Sequence, residues 1–200
     1  MSRQIWIWMF MFLITISPIG FSQQLSPGDK VKLTAFNITD AISGEYFVQA
    51  DSTVYLPYLE SVDIRDRSTD ELRREILEKY RVIYADLELH IQLLYKVNVL
   101  GEINKPGLYY VCGTERVTDI LAMAGGITNE ANLKKIFLIQ EDNKTRINGK
   151  RILNDGLSAA DIRLRSGDKI YVNKKWIGTR GITVLISSLA LMLAAYGTFK

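Results

Sequence analysis

The chain has 200 residues, 48% hydrophobic and 24% charged, which suits one or two packed domains and excludes a disordered chain. Its formal charge of +3, from 25 basic and 22 acidic residues, is too close to balance to imply a nucleic-acid partner. A single cysteine, Cys112, excludes an internal disulfide framework, and with a single histidine, His90, it cannot supply the three or four ligands of a zinc site.

The first stretch pairs a charged start, Met1 to Gln4, with an apolar run from Ile5 to Ile16 in which only Thr15 is polar. Pro18, Gly20 and Ser22 follow. Twelve residues rise only ~18 Å as a helix, short of a ~30 Å hydrocarbon core. The pattern therefore predicts a signal peptide over residues 1–22, cleaved between Ser22 and Gln23. No cysteine adjoins that site, so the expected mature chain carries no lipid.

Residues 23–95 read as a compact α+β unit. Ser26-Pro27-Gly28-Asp29 is a turn, and Val31, Leu33 and Ala35 alternate as one face of a strand. Short strands are expected at Tyr46–Val48, Val54–Tyr58 and Val62–Ile64. Ser68-Thr69-Asp70-Glu71 is a capping box, and Leu72, Ile76, Tyr80 and Ile83 recur at helical spacing. From Asp86 the period falls to two, with Leu87, Leu89, Ile91 and Leu93 on one face and His90 on the polar one.

Residues 96–176 form a second unit. Strands are expected at Val97–Leu100 and Leu108–Val111, joined through Gly101 to Gly107. A short helix carries Val117, Ile120, Leu121 and Ala124 and stops at Gly125-Gly126. Ile136–Ile139 and Lys169–Val172 complete a β-grasp-like pattern of one helix on a small mixed sheet. Ser166-Gly167-Asp168-Lys169 repeats the turn at Ser26–Lys30, and both are read as structural.

Residues 178–199 contain an apolar run from Ile182 to Phe199, ~27 Å long as a helix, suited to a thin bilayer such as the outer membrane. At 100° per residue Arg180, Thr183, Ser187, Ala190, Ala194 and Thr198 share one stripe, opposite Ile182, Leu185, Ile186, Leu189, Met192, Leu193 and Tyr196. Small residues and hydroxyls suit contact with other helices or a watery lumen. Lys174, Lys175 and Arg180 precede the run and only Lys200 follows, which disfavours inner-membrane insertion with the body outside.

No catalytic, cofactor-binding or metal-ligating set emerges. His90 lies on a polar strand face without a placeable nucleophile. Asp51, Asp63, Asp66 and Asp70 fall in turns and at a helix start, where aspartate bonds locally. Gly125-Gly126 follows a helix and cannot hold phosphate at its positive end. Tyr46, Tyr55, Tyr58, Tyr95, Tyr109 and Tyr110 could stack on sugars, but their strand context favours packing.

The first unit resembles the polysaccharide export domain, in Pro27-Gly28-Asp29, Gly44-Glu45-Tyr46-Phe47-Val48, Val54-Tyr55-Leu56-Pro57 and Ser68-Thr69-Asp70-Glu71-Leu72. The second resembles the soluble-ligand-binding β-grasp (SLBB) domain, in Val99-Leu100-Gly101-Glu102-Ile103, Lys105-Pro106-Gly107, Leu121 to Thr128 and Ser166 to Val172. Together they are similar to the outer-membrane polysaccharide export family. The resemblance implies a Gram-negative envelope protein and not an enzyme: a ring-shaped homo-oligomer, octameric by that likeness, with a periplasmic body and C-terminal helices across the outer membrane. It also implies an inner-membrane polysaccharide co-polymerase, often a tyrosine autokinase, as partner. The best-known relatives carry a second β-grasp domain and a lipidated cysteine, neither of which is seen here. Other readings are a monomeric periplasmic glycan-binding module held by its C-terminal helix in the inner membrane, and an envelope hydrolase.

Overall fold

A computed structural model of the chain describes residues 24–38 and 42–175, with residues 186–187 and 190–192 near the C-terminus. Over residues 24–175 the described part holds nine strands and three helices in the order β1 (Lys30–Ala35), β2 (Gly44–Phe47), β3 (Thr53–Val54), β4 (Val62–Asp63), α1 (Thr69–Ile83), β5 (Leu89–Gly101), β6 (Gly107–Val111), α2 (Val117–Met123), β7 (Ala131–Gln140), β8 (Asn143–Ile147), α3 (Gly149–Asn154) and β9 (Lys169–Lys174), and residues 186–187 and 190–192 are helical as well. The architecture is mixed α+β and rich in sheet. Among the described residues no helix is long and apolar enough to cross a membrane.

Seven strands form one sheet in the order β2-β1-β5-β9-β7-β8, with β6 also paired to β5, while β3 and β4 make a separate ribbon. β5 is the axis. The alternation that starts at Leu87 and the apolar run at Val97 are one strand, because nothing from Leu94 to Lys96 breaks an extended backbone. Tyr95–Lys96, where the sequence suggests a boundary between units, therefore lies inside β5.

Both β1 and β9 lie on the same edge of β5. Phe36 N–H donates to Glu88 O at 3.1 Å, Asn98 N–H to Asp168 O at 2.9 Å and Gly167 N–H to Lys96 O at 2.8 Å. Alternate residues of a strand present their backbone groups to alternate edges, so the even-numbered residues of β5 all face this side. β1 runs antiparallel to β5 from Leu94 back to Leu89, and β9 runs parallel to it from Asn98 to Gly101. The two strands thus start beside Lys96 and diverge. β6 takes the opposite edge over Tyr95–Val99.

The odd-numbered side chains of β5 from Ile91 to Val99 are buried, in register with Val31 and Leu33 of β1, Val111 of β6 and Ile170 of β9. Leu72, Ile76 and Tyr80 of α1, Val117 and Ile120 of α2 and Ile152 of α3 join the same cluster. The helices' buried side chains therefore cover one face of the sheet, and among the described residues no helix covers the other.

Several elements differ from the sequence pattern. The strand expected over Val54–Tyr58 ends at Val54, since Pro57 lacks a donor and Tyr58 takes a left-handed φ of 59°. Ile83 is exposed although it fits the helical period, because α1 ends there. β8 and α3 carried no clear periodic signal: β8 buries only Ile147.

Candidate functional site

The two like turns meet at the centre of the sheet. In each, the aspartate accepts from the backbone N–H three residues earlier: Asp29 Oδ2 from Ser26 at 2.7 Å, and Asp168 Oδ2 from Arg165 at 2.7 Å. The glycines before them, Gly28 and Gly167, have φ of 88° and 84°, a region that side chains rarely enter. Asp29 reaches further. Its Oδ1 accepts from Lys96 N–H at 2.9 Å and from Ser166 Oγ at 2.7 Å, joining β1, β5 and the turn before β9. The residue is fully buried, and that burial lifts its carboxyl above the usual value against the pull of its donors. Burial also raises Asp168, which accepts from Gln140 Nε2 at 2.7 Å.

Beyond β6, the odd-numbered edge of β5 over Leu89–Leu93 faces no strand among the described residues. It opens into a groove of about 650 Å³ between Thr69, Asp70, Arg73 and Leu77 of α1 and the Cys112–Thr114 loop. Cys112 Sγ donates to Glu115 Oε1 at 3.0 Å, and Cys112 N–H donates to the same oxygen at 2.9 Å. Burial opposes the Glu115 charge, yet these donors and nearby backbone groups outweigh it and hold the carboxyl below its usual value. Arg73 is tied to Asp70 at 3.1 Å. His90 lines the groove and is exposed. The arrangement offers unpaired backbone donors and acceptors along a strand, a surface suited to pairing with another chain.

The aspartates considered from the sequence do local work. Asp51 accepts from Thr53 Oγ1 at 2.7 Å, and Asp63 pairs with Arg65, which holds its carboxyl down at about 2. Asp66 occupies a turn with φ of 55°, and Asp70 sits in the first turn of α1. Gly125 and Gly126 close α2, donating to Ala122 O at 2.8 Å and Leu121 O at 2.9 Å, as a helix end requires. Tyr95 is buried, but Tyr55 and Tyr58 are exposed, so the packing expected of them is not seen. Among the described residues no group of three or more metal-ligating side chains comes together.

Of the C-terminal stripe, Ser187 and Ala190 are helical and exposed. Arg180, Thr183, Ala194 and Thr198 lie outside the described residues, as do Ser22 and Gln23. The sequence showed both turns but not the burial of Asp29, whose partners Lys96 and Ser166 are 67 and 137 residues away. The free edge of β5 was also out of sight, because periodicity shows which face a strand buries and not which edge is paired.

Two family models match the chain in succession: polysaccharide biosynthesis/export protein over residues 20–94, and SLBB domain over residues 95–172. The chain belongs to the polysaccharide export protein family. It is similar to two polysialic acid transport proteins KpsD of Escherichia coli, one 25% and the other 24% identical over 167 residues. In each case the match covers 78% of this chain and 29% of the relative, so the chain spans about three-tenths of their length.

Proposed function

We propose that this chain is a subunit of an envelope channel through which a capsular or extracellular polysaccharide leaves the cell, acting as a passive conduit built from a ring of copies. The observation that carries the proposal is the succession of export and SLBB matches along one continuous framework. Transport of a polysaccharide by the KpsD relatives supports the same reading. In it, residues 1–22 are the signal peptide, 23–95 the export domain and 96–176 a β-grasp-like domain. The parallel pairing of β5 with β9, flanked by β6 and β7, supports the last assignment.

Residues 178–199 are then the helix that crosses the outer membrane, with Arg180, Thr183, Ser187, Ala190, Ala194 and Thr198 facing neighbouring helices or the lumen. The unpaired edge of β5 supports assembly, because a ring built head to tail needs a surface that accepts another copy. A polysaccharide co-polymerase in the inner membrane is the expected partner below the ring.

Membrane fractionation with native mass measurement of the detergent-solubilised full chain tests the reading. A closed multiple of the mature chain, the 22.7 kDa sequence less residues 1–22, in the outer membrane, with export lost when the chain is removed from its host, is the expected result. A monomer in the inner membrane would favour the glycan-binding module instead.

A further inference from the structure

The sheet face without helices has a distinctive chemistry. Its cross-strand neighbours follow from the registers. Lys30 stands between Phe47 and Leu94, and Lys32 between Glu45 and Gln92. Lys96 stands beside Tyr110, and Lys169 between Asn98 and Ile139. Tyr171, Phe137 and Arg146 form one row, and Lys144 pairs with Ile139.

Lys30 forms an ion pair with Glu45 at 2.8 Å. Glu45 is the one acid at these strand positions, and Glu88 stands just before β5. Among the described residues Lys32, Lys96, Lys144, Arg146 and Lys169 have no carboxylate within ion-pair distance. Positive charge is thus concentrated here although the whole chain is nearly balanced. The rings lie among the cations. Lys30 Nζ is 4.8 Å from the centre of Phe47 and 4.1 Å from that of Tyr110, and Lys144 Nζ is 4.2 Å from that of Phe137. Phe47 and Tyr171 remain 51% and 37% exposed, too much for residues serving only to fill a core.

Resting on the polysaccharide export reading, we propose that this face is the surface that meets the exported polymer, and that the polymer is acidic. A sugar ring offers an apolar face of C–H groups to an aromatic side chain, and a carboxylate on it takes a charge-assisted hydrogen bond from lysine or arginine. From β6 across β5, β9 and β7 to β8 the sheet spans four strand spacings of ~4.8 Å, about 19 Å of rigid surface, long enough for several residues of an extended chain. A bilayer fits less well. Membrane-surface binding needs apolar side chains that enter the lipid, and here ammonium groups stand over the rings of Phe47, Tyr110 and Phe137.

The test uses the full chain in detergent with three probes: an oligogalacturonate, its methyl ester, and vesicles of anionic phospholipid. The ester keeps the rings and removes the charge. The acidic oligomer should bind, more weakly as salt rises, and the ester should not. Lys32→Glu with Lys169→Glu should weaken binding about tenfold or more, whereas Arg74→Glu with Arg81→Glu, the same charge change on the exposed side of α1, should leave it unchanged. If the reversals unfold the chain, Lys32→Gln with Lys169→Gln should still weaken binding. Equal binding of the ester, an unaffected face variant, or binding of vesicles without the oligomer overturns the proposal. Export in cells separates this failure from that of the broader reading. If removing the chain abolishes export and the face variant restores it in full, the acidic-polymer face falls and the export role stands; if removing the chain leaves export intact, the export role falls.

Discussion

Asp29 carries more of the fold than any other single polar group described. Three donors converge on it from Ser26, Lys96 and Ser166, and none has water as a substitute in that buried position. Asp29→Ala leaves all three unsatisfied and should cost about 3 kcal/mol, measured by urea unfolding. Its titration gives a second prediction. Burial raises the folded-state value above 3.8, so the folded chain holds the proton more tightly than the unfolded chain. The resulting stabilisation is complete below pH 3.8 and is lost as pH rises through the folded value. Asp29→Asn has no such proton, and Asp168 is present in both proteins. The advantage of wild type over Asp29→Asn should therefore shrink as pH rises above 3.8. An advantage that grows with pH would show that the donors outweigh burial.

At the scale of elements, β5 organises the chain by what it pairs with on each edge, and its end is set by Gly101. There φ is 91°, and a Cβ would stand 2.1 Å from Val172 O, a backbone atom that cannot turn aside. Gly101→Ala should cost about 3 kcal/mol and disturb the β5–β9 pairing first. Gly167, with a similar φ but nothing within 4 Å of its Cβ position, should lose only about 1 kcal/mol on the same change. Comparing the two melting curves separates collision from backbone preference. α1 depends on a local device instead. Ser68 Oγ accepts from Glu71 N–H at 3.3 Å while Glu71 Oε2 accepts from Ser68 N–H at 2.9 Å. Ser68→Ala should cost about 1 kcal/mol, visible as helix loss before the sheet melts.

For the whole molecule, the two family segments are not joined by a linker: the match changes at residues 94 and 95, inside β5. β1 from the first segment and β9 from the second hang on the same edge of that strand and are tied by Ser166 and Asp29. Their side chains enter one hydrophobic cluster. Residues 24–175 should therefore unfold in one transition, with far-ultraviolet dichroism and the slowest amide exchange of β1 and β9 sharing a midpoint. Two separated midpoints would show that the segments fold as independent units. Asp29→Ala, which cuts the tie, should broaden the transition.

The sequence by itself determined the elements whose cause is local. The capping box of α1, the glycine stop of α2, the alternation of β1 and the repeated Gly-Asp turns depend on neighbours within a few residues, and each is found where its pattern stands. The family is legible for the same reason, because those short motifs occur in a fixed order. Only the tertiary structure decided the rest. Whether Leu87 to Leu100 holds one strand or two depends on its partners, and β8 pairs although its own residues hardly bury themselves. The depth of Asp29 is set by residues far along the chain. The bare basic face emerges only when β1, β2 and β5 to β9 lie side by side, since β1, β5, β8 and β9 each contribute one or two cations that read singly as ordinary surface charge. Local free energies fix short segments, whereas edges, faces and burial belong to the pairing of distant ones.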